Sequence, residues 1–227
     1  MLLTDRLKAC CDMAGRCETV TDIGCDHGYL PIWLIDQGSC KRAYACDINE
    51  GPLSKARENA ARILEDPGPI SFIRSDGLKD VPQVTGRDNV LVISGMGGPL
   101  IQKILDDDMD KAWGYDRFVF SPQSMIPDFR RFLTNRGFCI RDEVYVTDAG
   151  KLYVIMGCCR GENKDISEIF FRFGPCIKRE LLKNGIRTAF MKRRDELASL
   201  LSSRDLPEDR RMDLTYELRL YDEVLKS

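Results

Sequence analysis

The stretch TVTDIGCDHGYLP, residues 19–31, decides the fold of this chain. Residues 19–23 are rich in β-formers and predict a strand, Gly24 to Gly28 form a turn, and a helix follows with Pro31 in its first turn. Gly24 can adopt backbone angles that a side chain would forbid, and Gly28 permits close packing where the helix begins. A strand, a glycine turn and a helix make the first unit of a nucleotide-binding α/β domain, although many such turns bind nothing.

The composition is that of one large globular domain, or of one domain with a small appendage. The chain has 227 residues, of which 43% are hydrophobic and 31% charged, and its net charge is −2. It contains no apolar run long enough for a transmembrane helix, and its first residues do not resemble a signal peptide. We therefore expect a cytoplasmic protein that does not contact a membrane.

Ten cysteines and one histidine, His27, offer few patterns for metal binding. The sequence has no Cys-x-x-Cys pair, whereas a structural zinc site needs about four Cys or His ligands at short spacings. We expect reduced, mostly buried cysteines and no bound metal.

Strand and helix patterns alternate along residues 1–162. After a helix over 3–14, strands are predicted at 19–23, 42–47, 70–74, 89–94 and 117–121. Helices are predicted near 29–38, 49–65, 99–107 and 127–137. Two β-rich runs, 139–146 and 151–159, are joined by the short segment TDAG and predict an antiparallel hairpin. The order predicts an α/β fold with a seven-stranded, mainly parallel sheet, which is the Rossmann-like class I methyltransferase fold.

Residues 163–227 follow a different pattern. Apolar residues recur at helical spacing from 177 to 201 and again from 206 to 225, with a break at SSRDLP, residues 202–207. They predict a C-terminal helical hairpin, coiled-coil-like, as a second domain after a methyltransferase domain at 1–162. Residues 170–194 carry eight basic side chains and one acidic side chain, so this segment is a candidate surface for a polyanion. A solvated helix face is the alternative.

Polar and small residues follow four of the predicted strands, where ligands bind in open α/β sheets. The candidate ligand-binding residues are Asp22, Gly24, Asp26, His27 and Gly28 in the first turn, Asp47 and Ile48 after the second strand, Asp76 and Gly77 after the third, and Ser94, Gly95, Met96 and Gly97 after the fourth. A carboxylate at Asp47 can accept hydrogen bonds from both ribose hydroxyls, and Asp76 can accept one from an adenine amino group. An aspartate after one strand is usually a cap or turn residue, but four such groups in this order predict an adenosine-containing ligand.

Asp26 occupies the place of the second glycine in the dinucleotide fingerprint G-x-G-x-x-G. A side chain there obstructs the approach of a pyrophosphate to the backbone. The start Asp22-Ile23-Gly24 and the closing hairpin therefore fit S-adenosylmethionine better than NAD.

The segments DIGCDHGYLP, ISGMGG, SPQ and DEVYVTDAGKLYVIM resemble the bacterial tRNA (adenine(22)-N1)-methyltransferases, over about residues 2–160. That family has a class I methyltransferase domain followed by a helical, coiled-coil-like extension. The resemblance implies S-adenosyl-L-methionine as the cofactor, tRNA as the partner and N1-methyladenosine at position 22 of the D-arm as the product. The acidic overall charge departs from this pattern, so RNA binding would depend on a local basic patch.

The chemistry requires alignment more than a strong base, because the methyl group of a sulfonium is already activated. We expect Asp26 to stabilise the methylated adenine or accept its proton, with an Asx turn or N-cap as the alternative role. Tyr29 is a candidate for stacking on the target base, with helix packing as the alternative, and Pro122-Gln123 could contact the base edge. The candidate RNA-binding residues are Arg179, Lys183, Arg187, Lys192 and Arg193.

The first three of these basic residues recur every four positions, so they are predicted to share one face of a helix that starts at Pro175. Two other interpretations of the chain remain open. One is a methyltransferase for a small molecule or a protein, with the hairpin used for dimerisation, and the other is a non-catalytic RNA-binding protein on the same fold. An NAD-dependent oxidoreductase is disfavoured by the missing glycine. A monomer is favoured slightly over a dimer.

Overall fold

A computed structural model describes residues 2–203 and 206–226. The strands are β1 Cys17–Ile23, β2 Cys40–Asp47, β3 Ile70–Arg74, β4 Asn89–Ser94, β5 Arg117–Ser121, β6 Phe138–Asp148 and β7 Lys151–Arg160. The helices are α1 Asp5–Ala14, α2 Tyr29–Asp36, α3 Glu50–Ile63, α4 Gly98–Asp107, α5 Met109–Ala112, α6 Ile126–Asn135, α7 Glu168–Phe173, α8 Ile177–Glu180, α9 Asn184–Leu201 and α10 Glu208–Lys226. The predicted break at 202–207 includes residues 204 and 205, which lie outside the described residues, as do residues 1 and 227.

The seven strands form one sheet in the order β3-β2-β1-β4-β5-β7-β6. The pairs among β1 to β5 are parallel, whereas β7 runs antiparallel to both β5 and β6. The predicted class I methyltransferase sheet is therefore confirmed. β1 and β2 begin two residues earlier than predicted because Cys17 already pairs with Cys40. The short helices α5 and α7 were not predicted.

Helices cover both faces of the sheet. One core contains Cys10 of α1, Leu30 of α2 and Leu53 of α3. The other contains Ile101 of α4 and Phe129 of α6, and it continues into the C-terminal helices. Because α2 and α4 lie on opposite faces, the turns after β1 and β4 diverge and leave a crevice at the carboxyl edge of the sheet.

The helices α9 and α10 form the predicted C-terminal hairpin. Arg194 of α9 pairs with Asp222 of α10 at 2.9 Å, and Arg187 donates to the carbonyl oxygen of Leu225 at 3.0 Å. These contacts fix the two helices antiparallel. Buried apolar side chains from both helices belong to the same core as the sheet, so the division into domains at 162 stays a prediction.

The prediction of one continuous helix from Pro175 is wrong, because the structure interrupts this helix. α8 ends at Glu180 and α9 begins at Asn184, so Arg179, Lys183 and Arg187 do not share one helix face. The reason is the buried carboxylate of Glu180, which accepts hydrogen bonds from the backbone N–H of Tyr145 in β6 at 2.8 Å and from Lys183 at 2.7 Å. This tertiary contact overrides the helical pattern of the sequence.

A buried ion pair joins α6 to β6 and to the C-terminal region. Arg130 Nε donates to Glu143 Oε1 at 2.8 Å, and both side chains are fully buried. Arg130 also donates to the carbonyl oxygens of Phe171 and Arg172, each at 2.9 Å. A Cβ atom at Gly174 would collide with the Glu143 carboxylate, so this position requires glycine.

We expect Arg130→Met to lower the free energy of unfolding by about 3–5 kcal/mol, because it leaves the Glu143 carboxylate buried and without its cation. Arg131→Met is the matched control, since Arg131 is the next residue of α6 but is partly exposed in its pair with Glu168. It should cost about 1 kcal/mol or less. Urea unfolding followed by circular dichroism measures both, and equal losses would contradict a special role for Arg130.

Candidate active site

A cavity of about 460 Å³ opens at the carboxyl edge of the sheet, at the crevice between β1 and β4. The turns after β1, β2 and β4, helix α1 and the segment after β5 line it: Thr4, Arg6, Leu7, Asp22, Gly24, Cys25, Asp26, His27, Tyr29, Leu30, Asp47, Ser94, Gly95, Met96 and Gln123. This is where open α/β sheets bind their ligands.

A second cavity, of about 510 Å³, lies between α6, α7 and α10. Four of its charged side chains already have partners within the protein: Arg131 pairs with Glu168, and Arg172 pairs with Glu217. None of its lining residues belongs to a strand or to the turns after β1, β2 and β4. We therefore take the cavity at the sheet edge as the candidate active site.

Most of the predicted ligand-binding residues line the sheet-edge cavity, and so do the two candidate catalytic residues, Asp26 and Tyr29. The predicted residues that do not line it are Gly28, Ile48, Asp76, Gly77 and Gly97. Gly28 instead permits close packing of α2 on α3, because a Cβ atom there would lie 2.8 Å from that of Ala56. Asp76 is exposed at the end of β3, one strand beyond Asp47. Its contact with adenine stays a prediction.

The first turn has the backbone conformation that its sequence predicts. Gly24 has a φ of +75°, and a Cβ atom there would collide with the Met96 side chain. Asp26 also has a positive φ, of 50°, which Asp and Asn tolerate better than most residues. The turn is thus held in a shape that depends on these two residues.

The carboxylate of Asp47 joins the first turn to the second. The backbone N–H of Asn49 donates to Asp47 Oδ1 at 2.9 Å, and that of Asp26 donates to Oδ2 at 3.4 Å. Each carboxylate oxygen has a further lone pair, and the side chain still lines the cavity. Asp47 can therefore hold both turns and accept hydrogen bonds from a ligand.

Asp22 is the buried carboxylate of the cavity. Burial raises the pKa of Asp22 to about 7, although the nearby Arg6 guanidinium acts to lower it. Its side chain lines the cavity. A buried carboxylate in the wall of a cavity is a candidate for binding a cationic ligand group.

Three side chains form an exposed cluster at the cavity. His27 Nε2 lies 3.6 Å from Asp26 Oδ1, and the Asp26 side chain is 71% exposed. The rings of His27 and Tyr29 lie 5.8 Å apart at a tilted angle. This arrangement offers a carboxylate and an aromatic face to a substrate that approaches from solvent. Gln123 lines the same cavity, as predicted for a base-edge contact, and its backbone N–H donates to Met96 at 2.8 Å.

Sequence reasoning missed the contribution of α1. Thr4, Arg6 and Leu7 line the cavity, although the sequence analysis predicts only a helix here and no ligand contact. Nη1 of Arg6 is buried and has no hydrogen-bond partner in the described part of the chain. A charged residue two positions after the N-cap Thr4 was the one available signal, and it does not by itself indicate a site.

Four of the five candidate RNA-binding residues make contacts within the protein. Arg179 pairs with Asp142 at 2.6 Å, Lys183 and Arg187 make the contacts described above, and Arg193 lies 3.5 Å from Glu217. Lys192 is exposed, and no residue in the described ranges pairs with it. The RNA-binding role of all five stays a prediction.

All ten cysteines are free thiols, and eight of them are buried. Among residues 2–203 and 206–226, no group of three or more His, Cys, Asp or Glu side chains could hold a metal ion. In the same ranges, no helix is long and apolar enough to cross a membrane.

Comparison with known proteins identifies the family. A protein-family model described as a methyltransferase domain matches residues 3–156. The tRNA (adenine(22)-N(1))-methyltransferase of Bacillus subtilis is 31% identical over 157 residues, which cover 68% of this chain and 63% of that protein. The chain thus spans less than two thirds of the length of the curated relatives that it matches.

Solved structures extend the similarity to the whole chain. A crystal structure from Streptococcus pneumoniae, described as a candidate tRNA (m1A22) methyltransferase, is 30% identical with a TM-score of 0.86, and the match covers 99% of this chain and 100% of that one. The same protein in complex with S-adenosyl-L-methionine is 29% identical with a TM-score of 0.84 over 99% and 100% of the two chains. Together with the methyltransferase-domain match, this similarity confirms the predicted family: the chain belongs to the tRNA (adenine(22)-N1)-methyltransferase family of class I methyltransferases.

Proposed function

We propose that this protein transfers a methyl group from S-adenosyl-L-methionine to N1 of an adenine in tRNA, at the position that corresponds to 22 in the D-arm. The observation that carries the proposal is the sheet-edge cavity, which combines Asp22 and Asp47 with the exposed Asp26–His27–Tyr29 cluster. The names of the relatives from B. subtilis and S. pneumoniae support the choice of substrate. With tRNA as its substrate, the protein is proposed to be cytoplasmic, and a monomer is slightly favoured over a dimer.

The residues of the cavity fit an adenosine ligand with a charged tail. Asp47 would accept hydrogen bonds from ribose hydroxyls, and Gly24 would let the ligand approach the backbone. The buried Asp22 carboxylate provides an acceptor, and the unpartnered Arg6 Nη1 atom provides a buried donor. When bound, the cofactor supplies a methyl group activated on a sulfonium, whose leaving group is a neutral thioether.

The exposed cluster would handle the target base. Methylation at N1 makes the adenine cationic, so a carboxylate at its edge can stabilise that charge or accept a proton from the exocyclic amine. Asp26 has the exposure and the partner, His27, that this role requires. Tyr29 could stack on an unstacked base, as aromatic residues do in RNA recognition. These residues would position the base and stabilise its positive charge. They would not act as nucleophiles.

Incubation of the full chain with cofactor and an unmodified tRNA transcript should produce N1-methyladenosine at position 22, detected by mass spectrometry of nucleosides and of nuclease fragments. A transcript with guanine at that position is the matched control and should remain unmethylated. Cofactor binding without any RNA product, or methylation only at another position, would contradict the proposed function.

In the same assay, Asp26→Asn should lower the single-turnover rate by roughly 100-fold and change cofactor affinity little. Asn keeps the left-handed backbone conformation, so the turn should be preserved. A wild-type rate in this variant would remove Asp26 from the catalytic residues.

We expect Asp47→Ala to weaken S-adenosylhomocysteine binding by about 10- to 100-fold, because it removes charge-assisted hydrogen bonds to the ribose. It also removes the hydrogen bond that Asp47 accepts from the first turn. Asp36→Ala is the control, since Asp36 is exposed at the end of α2 and its carboxylate accepts a hydrogen bond from the adjacent Gln37 side chain. Titration calorimetry measures both. An Asp47→Ala affinity within twofold of wild type would refute the ribose assignment.

Lys192→Glu should weaken tRNA binding and reduce the slope of log affinity against log salt concentration by about one. It should not lower the stability of the protein, because this lysine is exposed and unpaired among the described residues. Lys41→Glu is the control, since Lys41 lies at the opposite, amino edge of the sheet. Binding curves at two salt concentrations compare the variants. Identical affinities for Lys192→Glu and wild type would exclude this residue from the RNA surface.

A further inference from the structure

The segment that follows β5 exposes a large apolar side chain beside the active site. Residues 123–125, Gln-Ser-Met, are all exposed, and Gln123 lines the sheet-edge cavity. Met125 comes two residues later, so its Cα atom is at most about 7 Å from that of Gln123. Met125 is 54% exposed. Single exposed apolar residues are common on protein surfaces, so the exposure of Met125 gains meaning only from its backbone and its surroundings.

The backbone holds Met125 in an unusual conformation. Its φ is +53°, in the left-handed region that residues with long side chains rarely adopt. The N–H of Gly98, after β4, donates to the carbonyl oxygen of Ser124 at 3.1 Å. The N–H of Phe129 in α6 donates to the carbonyl oxygen of Met125 at 2.9 Å. The surrounding structure thus fixes this residue, and conformations of this kind cluster at sites where proteins contact ligands.

A third cavity, of about 290 Å³, begins at the same segment, and we call it the side cavity. Ser124 and Met125 line it, together with Tyr153 of β7 and residues of the C-terminal helices. The guanidinium of Arg6 lies over the Tyr153 ring, 5.6 Å from its centroid, and Arg6 lines the sheet-edge cavity. The two cavities are therefore neighbours, and residues 123–125 connect their walls.

The side cavity offers aromatic surface more than free charge. Its charged lining residues, Arg172, Arg193 and Glu217, pair with one another. The rings of Tyr153 and Tyr221 are half-buried and line it. Aromatic rings of this kind stack on unpaired bases of RNA whatever their sequence. The side cavity is thus suited to a nucleobase and less suited to a phosphate group.

The proposed reaction requires the target adenine to leave its stack. N1 lies on the Watson–Crick edge of adenine, so a base that is paired and stacked does not present this atom to a cavity of the enzyme. Extrusion of the base costs stacking and pairing energy. Nucleic-acid-binding proteins offset such a cost by inserting apolar side chains, methionine among them, between neighbouring bases.

We propose that Met125 is a wedge between the target adenine and the next base of the RNA. The adenine enters the sheet-edge cavity, the neighbouring base enters the side cavity, and the Met125 side chain fills the gap between them. The fixed backbone keeps this side chain in place before RNA binds. This inference rests on the proposed function and deepens it by assigning a residue to base extrusion. Met125 takes no part in cofactor binding or methyl transfer.

The fluorescence of 2-aminopurine, which rises when the base leaves its stack, tests the wedge in a tRNA transcript labelled at position 22. Wild-type protein with S-adenosylhomocysteine should raise the fluorescence. Met125→Asn should abolish this rise, because Asn tolerates the left-handed backbone but lacks the long apolar side chain. Met125→Leu should retain it. Met191→Asn is the matched control, since Met191 of α9 is 51% exposed, and it should behave as wild type.

Methylation of unlabelled transcripts provides a rescue. Met125→Asn should lower the single-turnover rate on the intact transcript by roughly 10- to 100-fold, the range that stacking energies imply. An abasic site directly before or after position 22 removes one stacking partner of the adenine. On the transcript that lacks the base beside the wedge, the variant should recover most of the wild-type rate. Titration calorimetry should give wild-type affinity of Met125→Asn for S-adenosylhomocysteine.

The wild-type measurements keep the wedge falsifiable even if Met125→Asn does not fold. Methylation of the intact transcript without any rise in 2-aminopurine fluorescence would overturn the wedge and leave the proposed function intact. Equal slowing of Met125→Asn on the intact and both abasic transcripts would also overturn it, since Met125 would then act only on the shape of the site. Failure of the wild-type protein to methylate any transcript would overturn the wedge and the proposed function together.

Discussion

The direction in which the chain leaves β1 determines where a ligand can bind. β1 pairs with β2 on one side and with β4 on the other, and the helices that follow β1 and β4 pack on opposite faces of the sheet. The turns at the ends of these strands must therefore diverge, and a crevice opens at the carboxyl edge. It brings Asp22, Asp47 and Ser94 to one cavity although they are far apart in the sequence.

Hydrogen bonds fix the turns that form the walls of this cavity, whereas not every polar group at the cavity has a hydrogen-bond partner within the described residues. The Asp47 carboxylate joins the first two turns through two backbone N–H groups, so neither turn depends on a ligand for its shape. Arg6 Nη1, by contrast, is buried and has no hydrogen-bond partner in the described structure. Such groups destabilise the protein alone and favour the bound state, because a ligand supplies the missing partners. The turns of the cavity are fixed before a ligand binds, whereas some of its side chains keep unused hydrogen-bonding capacity, as expected of a binding site.

The C-terminal helices use much of their positive charge within the protein. The Glu180 carboxylate takes Lys183 as a partner, and Arg179 pairs with Asp142 of β6, so these cations help to attach the helices to the sheet. The fully buried Arg130 adds hydrogen bonds to the end of α7. The basic segment therefore presents fewer unpaired cations to a polyanion than its sequence implies. Attraction of tRNA would depend on exposed lysines such as Lys192, together with the shape of the surface.

The sequence by itself determined the order of strands and helices, because alternating periodicities and glycine turns are local signals. It also indicated Asp22, Asp26 and Asp47, since residues after parallel strands meet at one sheet edge whatever the rest of the fold does. Only the tertiary structure decided the role of α1, whose Arg6 reaches the cavity through packing that no periodicity records. It also decided the break after Glu180, because a buried carboxylate bonded to β6 outweighed helix propensity. Local patterns specify elements, whereas the partners of buried charges depend on which elements meet in space.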